Sequence, residues 1–517
     1  MTHRPHRADR SHRPRRPRRF AGVAFAASGA LLASAMLASG TATAATTAQD
    51  GSTPVPVVTP DGTLMSYVVN AKVANPGQTR LVEKAVAASG GVVVQSWPQI
   101  GVVIAHSDRA AFRADVVRRG GNAVESVGAS RTAAVSEGTP TDLGPSWGKG
   151  ASGYQKGHAK PANGDLSGAT ENTTTTVADP REGEQWDMTA IKADQAHAIT
   201  DGDRSVLVGV LDSGIDPDHP DLQANIDVAD SVSCVDAGRP DTTPLAWAPT
   251  TSDHGTHVAG TIGAARNGVG IVGVSPGSRM ASVKVVNDSG FIYPEYAICG
   301  FVWAGEHKMD VTNNSYYIDP MMYWCGDQPD QAAVLEAVGR AVAWSTTQGV
   351  VHAAAAGNAA TDLANNTTDT SSPNDTTPIP RTIDEGCIDI PAELPGVVTV
   401  SATTRTGQLA SFSNRGLGVI DVAAPGRTIL STVVANNGYG TKSGTSMASP
   451  HVAGVLALMK SAHPDWTPAQ MVAKLRAQAD DHACAPAENN GGPACTGPVE
   501  DNSYYGEGIV DALDAVR

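Results

Sequence analysis

Val206-Leu207-Val208-Gly209-Val210-Leu211 (206–211) is an unbroken apolar run, closed by Asp212-Ser213-Gly214. The run does not alternate, so it reads as a parallel strand buried on both faces. A carboxylate at the C-terminal end of such a strand stands where open α/β sheets carry their functional groups. Alone, a strand-end aspartate is more often a helix cap or a turn residue.

Two later blocks change that balance. His254-Gly255-Thr256-His257-Val258-Ala259-Gly260-Thr261 is rich in small residues, which suits a helix packed closely on its neighbours. Two histidines three apart raise the question of a metal, but the H-E-x-x-H glutamate that a zinc hydrolase uses as a base is absent. One histidine as a general base fits better, because imidazole titrates near neutrality. Gly444-Thr445-Ser446-Met447-Ala448-Ser449-Pro450-His451 runs into an apolar helical stretch, Val452 to Lys460. A serine at a helix start lies among backbone N–H groups without intrahelical partners. By itself G-T-S there is usually only a cap.

Together the blocks follow the order Asp, His, Ser. The chain resembles the subtilase (subtilisin-like) serine peptidases over nearly all of residues 185–517. The resemblance rests on these blocks, on Ile215-Asp216 after the first, on Ala353-Ala354-Ala355-Ala356-Gly357-Asn358, and on Tyr505-Gly506-Glu507-Gly508-Ile509-Val510-Asp511-Ala512. It implies a three-layer α/β/α domain with a mainly parallel sheet. It also implies a role for each matching residue. Ser446 is the nucleophile, His254 the general base and Asp212 its partner. Asn358 and the Ser446 N–H form the oxyanion hole. His219, His257, His352 and His451 are left as structural.

The resemblance carries weaker expectations too. The loop 265–271 has the register of a subtilisin calcium loop. The side chains of Asp221 and Asn267 and the carbonyls of Ala265, Val269 and Ile271 would surround the ion, with Glu182 near the remaining position. A plain surface turn is the competing reading, since Asn267-Gly268 is a turn dipeptide. No cofactor is expected for catalysis. Ser315, Tyr316 and Tyr317 match a substrate-binding segment in which glycine usually stands at the last position, so Tyr317 should narrow the pockets. A polar insertion, about 360–385, follows Asn358. It either borders the cleft, tied by a Cys325–Cys387 bridge, or is an idle surface loop.

Charge divides the 517 residues further. The net of −15 combines +7 over residues 1–20, no charged side chain over 21–44, zero over 45–180 and −22 over 181–517. The acidity argues against nucleic-acid binding, which needs clustered Lys and Arg. Arg18-Arg19, the apolar run from Phe20 to Ser39 and the small-x-small Ala42-Thr43-Ala44 read as a cleaved export signal, 1–44, with a retained anchor as the alternative. Export suits the six cysteines, all between Cys234 and Cys495 and even in number. Three disulfides are expected, one of them the local pair Cys484–Cys495. The C-x-x-C spacings of zinc sites are absent.

Residues 45–135 hold a β-α-β-β-α-β pattern: strand 66–69, helix 78–88, strands 91–94 and 100–106, helix 109–118 and strand 124–129. That order is ferredoxin-like α+β. On one face of the first helix stand Leu81, Val82, Ala85 and Val86. Residues 136–180, rich in Gly, Ser, Thr and Pro, read as a flexible linker to a peptidase domain at 181–517. By family resemblance the small module is an inhibitory propeptide. The expectation is a secreted, monomeric serine endopeptidase, autoprocessed from a zymogen, acting on protein or peptide substrates and free of membrane after signal cleavage. A dedicated precursor-trimming peptidase is the alternative within enzymes. A catalytically silent binding protein on the same fold is the alternative outside them.

Overall fold

The computed structural model describes residues 51–135, 178–488 and 494–517. The expected signal, 1–44, and all but the end of the expected linker, 136–180, lie outside the described residues. Among the described residues no helix is long and apolar enough to cross a membrane.

Strand Leu207–Asp212 lies inside an eight-stranded sheet. Across the sheet the strands run 422–425, 397–403, 351–355, 311–314, 207–212, 279–284, 232–236 and 239–241. Every pairing is parallel except the last, where 239–241 folds back on 232–236. Side chains alternate along the central strand. Val208 and Val210 enter one core with the helices His254–Gly263 and Thr445–Ala462. Leu207 and Leu211 enter the other with Pro294–Glu306 and Pro329–Thr347. The expected three layers follow from this: a strand apolar on both faces needs a helical layer on each.

The small module follows the expected element order. Its strands are β1 (Met65–Ala71), β2 (Val92–Trp97), β3 (Val102–Ser107) and β4 (Val124–Ala129), and its helices α1 (Pro76–Ala88) and α2 (Phe112–Gly120). The sheet is antiparallel, ordered β2-β3-β1-β4. α1 begins earlier than the apolar pattern predicts, because Asn75 caps it (Gln78 N to Asn75 Oδ1, 2.9 Å) and Pro76 opens it. Leu81 is 47% exposed, and Thr79 takes its place on the buried face with Val82, Ala85 and Val86. One face of the sheet packs on these helices. The other face, with Val68, Trp97, Val102 and Ile104, joins the core around Pro294–Glu306 and Pro329–Thr347. The module therefore sits on the outer side of those two helices.

Three disulfides are present: Cys234–Cys299, Cys325–Cys387 and Cys484–Cys495. The second ties down the polar insertion, which is no idle loop. Thr368–Asp369 pairs with Arg381–Thr382, and Arg381 donates to Asp369 Oδ2 from Nε (3.0 Å) and Nη2 (2.7 Å) with both side chains fully buried. Burial acts to raise the Asp369 carboxyl, but Ser372 and the Arg381 charge outweigh it and hold it below the usual range. A carboxyl depressed in the folded state stabilises above its unfolded value, and that contribution is lost as pH falls through the folded value. Arg381→Met should cost about 3–5 kcal/mol at neutral pH, because it strands a buried carboxylate. Denaturant midpoints measure this, and the gap between variant and wild type should shrink below about pH 4.

Candidate active site

The C-terminal ends of the parallel strands bring the three sequence blocks together. Asp212 ends its strand and is 1% exposed. Its Oδ1 and Oδ2 each lie 2.9 Å from His254 Nδ1, and its Oδ1 also accepts the Ser213 N–H at 2.6 Å. Nδ1 is thereby the protonated nitrogen facing the carboxylate, which leaves Nε2 on the opposite side of the ring. Ser213 also braces the histidine helix, its Oγ accepting the Gly255 N–H at 3.0 Å.

Two glycines permit this approach. Gly214 has φ +108°, and a Cβ there would lie 2.6 Å from Pro249 N and 2.7 Å from Trp247 O. A Cβ on Gly255 would lie 2.5 Å from Gly214 O and 3.1 Å from Asp212 Oδ1. The small residues beside Asp212 and His254 are thus set by backbone contact.

Ser446 occupies the second position of the helix Thr445–Ala462, which starts nearly two turns before the predicted Val452 and carries Pro450 inside it. That helix packs against the histidine helix. Ser446 Oγ lies 3.3 Å from Ser315 O, and Ser315 Oγ donates to Ser446 O at 2.9 Å. Ser315, the first residue of the segment 315–317, therefore stands directly alongside the serine. Tyr316 is buried, its hydroxyl donating to Asn314 Oδ1 at 3.0 Å. Tyr317 is partly buried, and its hydroxyl accepts from Asn374 Nδ2 of the insertion at 2.9 Å. The insertion thus reaches the predicted substrate segment.

Asn358 follows the strand Val351–Ala355 and stands beside the serine helix. Its Oδ1 accepts from Thr445 N (2.8 Å) and Thr445 Oγ1 (3.0 Å). These bonds fix which end of the amide is oxygen. They leave Nδ2, like the Ser446 N–H, without a partner among the described residues. Thr445 is a positioning residue that the sequence reading missed, although it stands next to Ser446.

The other histidines are engaged in the core. His257 Nε2 lies 3.1 Å from the carbonyls of Ile429 and Gly440, and burial, then Lys442 and His254, hold it well below its usual range. His352 lies between Thr312 Oγ1 and Ser345 Oγ, and burial pushes it down to about 3. His219 Nε2 bonds Gly438 O, and His451 bridges Met447 O and Asp187.

Around the loop 265–271, Asp221 Oδ2 accepts from Ile271 N (3.1 Å) and the Tyr439 hydroxyl (2.9 Å). Asp221 Oδ1 is buried without a partner, and burial pushes this carboxyl up to about 7. Asn267 Oδ1 accepts from Val269 N at 3.0 Å. Glu182, the acid suggested by sequence, is instead paired with Arg266. Asp179 meets the loop in its place: one oxygen accepts the Gly268 N–H, and Oδ2 is buried without a partner. The physical reason is that Arg266, within the loop, draws Glu182 to itself.

Asp212 and His254 thus form a buried pair, the helix carrying Ser446 packs against the histidine helix, and the chain is similar to known proteins of one family. The model of the subtilase family matches residues 203–507. A subtilisin of Bacillus pumilus is 36% identical over 332 residues, which cover 64% of this chain and 98% of that protein. Subtilisin E of Bacillus subtilis (strain 168) is 33% identical, covering 64% and 71%. Among solved structures, the epidermin leader peptide processing serine protease of Staphylococcus aureus aligns with TM-score 0.60 at 20% identity, covering 88% of this chain and 98% of that one. Fervidolysin of Fervidobacterium pennivorans, a keratinolytic enzyme related to subtilisin, aligns with TM-score 0.58 at 24% identity, covering 88% and 61%. The chain belongs to the subtilase family and is a serine endopeptidase.

The glycine contacts are testable. Gly214→Ala combines a positive φ with a backbone clash and should lower stability by about 1–3 kcal/mol or more. Thermal unfolding of the purified variant measures this.

Proposed function

We propose that the enzyme hydrolyses peptide bonds through Ser446, His254 and Asp212, and that it is made as a secreted zymogen. The observation that carries the catalytic part is the desolvated Asp212 carboxylate on His254 Nδ1. Ser446 Oγ attacks the scissile carbonyl and passes its proton to His254 Nε2. Asp212 keeps the imidazole in the competent tautomer and stabilises the imidazolium. The oxyanion receives the Asn358 amide and the Ser446 N–H, which cost no reorganisation because Thr445 already holds Asn358. His254 returns the proton to the leaving amine. Water then repeats the sequence on the acyl-enzyme and frees Ser446. Like subtilisins, which need no cofactor for catalysis, this route uses the groups of the chain itself.

The module 45–135 is proposed as the inhibitory propeptide, with residues 136–180 as the segment cut on maturation and 1–44 as the export signal. Support comes from the docked surface. Ala129 N donates to Asp330 Oδ1 (2.8 Å), Arg340 Nη1 to Ala71 O (2.8 Å) and Asn70 Nδ2 to Ala333 O (2.8 Å). Arg131, just past β4, is buried against Glu295 and lies 3.8 Å over the Tyr293 ring. Thr132 and Ala133 donate to Asp375 of the insertion. The chain leaving the module thus passes the same insertion that holds Tyr317. That confinement, with Tyr317 held by the insertion two residues from Ser315, which contacts Ser446, favours a processing enzyme over one for general digestion. The test is fluorophosphonate labelling and N-terminal sequencing of wild type and Ser446→Ala. The expected outcome is a labelled wild type starting beyond residue 135 and an unlabelled variant that keeps the module. Identical N-termini beyond that point would refute autoprocessing.

Structural calcium at the loop 265–271 is proposed on the two orphaned buried oxygens of Asp221 and Asp179, hard donors of the type calcium takes. Asn267 and the carbonyls of Ala265, Val269 and Ile271 complete the donor set. Bound there, calcium would supply charge neutralisation and loop stability and no catalytic step. Chelation should lower the thermal midpoint of wild type, and Asp221→Asn should abolish that response. An unchanged midpoint after chelation would count against the site.

A further inference from the structure

Two buried acids around the insertion are met by a guanidinium. Asp369 holds Arg381, and Glu295 holds Arg131. Asp389 does not. It is 3% exposed, its Oδ1 is fully enclosed without a partner, and no cation among the described residues pairs with it. Its only close charged neighbour is another acid, Glu393, whose Oε1 accepts the Asp389 N–H at 2.8 Å. A charge in such a place costs several kcal/mol unless it is paired, so a lone one beside a reaction centre points to a ligand.

The location is specific. Asp389 Oδ2 lies 3.6 Å from the point where a Cβ on Gly357 would stand. Gly357 directly precedes Asn358, and its N–H donates to Thr445 Oγ1 at 3.1 Å, one residue before Ser446. On the other side Tyr317 feels the Asp389 charge, and Ser315, two residues before it, contacts Ser446. The carboxylate therefore lies close to Gly357 on one side and to Tyr317 on the other. Gly357 and Asn358 are adjacent, so an acyl group on Ser446 with its oxygen toward Asn358 would bring its own residue near this carboxylate.

We propose that Asp389 is a specificity residue that reads a cationic side chain, arginine or lysine, on the substrate residue supplying the scissile carbonyl. This rests on the catalytic reading of Ser446 given above. Burial, and secondly Glu393, push the empty carboxyl well above its usual range, and an entering cation would relieve both. A metal ion is a poorer occupant. The one group of three close metal-ligating side chains among the described residues is Cys325, Asp327 and Cys387, and its two cysteines are bonded to each other.

The test uses the processed enzyme, active sites counted with a fluorophosphonate. Matched fluorogenic peptides differ only at the residue before the cut: arginine, lysine, norleucine, phenylalanine or glutamate. Arginine or lysine should exceed norleucine by about 100-fold in kcat/KM, and Asp389→Asn should collapse that ratio by a similar factor. Should the variant fail to fold, paired aldehyde inhibitors ending in arginine or norleucine report on wild type alone, with the arginine compound expected to bind about 100-fold more tightly. Equal rates or equal inhibition would overturn the proposal, as would an Asp389→Asn loss shared by every peptide. An enzyme that is labelled and active without basic preference refutes this inference alone. One that takes no label and cuts no peptide refutes the catalytic reading and this inference with it.

Discussion

The contact between Asp212 and His254 Nδ1 constrains the rest of the molecule. It joins the end of a buried strand to the start of a helix, and neither element can move without losing it. The carboxylate is kept from water, so its partner and the Ser213 N–H must satisfy it. The approach leaves no room for Cβ atoms at Gly214 or Gly255. The sheet, the flanking helices and the small residues of both motifs are arranged around that desolvated pair.

Electrostatics accounts for much of the remaining architecture. Residues 181–517 carry a net of −22, and many of the acids are buried. Burial is tolerable where a guanidinium or backbone N–H groups meet the carboxylate, as at Asp369. Arg131 reaches across from the small module and pairs with Glu295. The module is thus held by apolar packing on two helices and by an arginine filling an acidic, aromatic recess. Asp389, Asp221 and Asp179 each retain a buried oxygen without a hydrogen-bond partner, and none of the three has an ion pair among the described residues.

The polar insertion shows how composition misleads. Its Thr, Asn and Asp content is that of a surface loop. Yet it is held by a two-stranded ladder, a buried ion pair and the Cys325–Cys387 bridge, and it places Asn374 on Tyr317. Polar residues that bond one another do the work that apolar packing does elsewhere.

The fold class and the three chemical blocks were legible in the sequence because each is local. An apolar run without alternation demands two covering layers, and D-S-G, H-G-T-H and G-T-S-M-A each crowd their functional groups into a few residues. The module's element order was legible for the same reason, although Leu81 was assigned to the wrong face and the Asn75 cap was missed. Asp389, Asp179 and the Thr445 grip on Asn358 lay beyond that reading. No periodicity or motif marks them, and Glu182 was chosen where Asp179 stands. Their meaning arises only when the fold brings together segments tens to hundreds of residues apart. There burial decides which carboxylate is paired, which is stranded, and what each is free to bind.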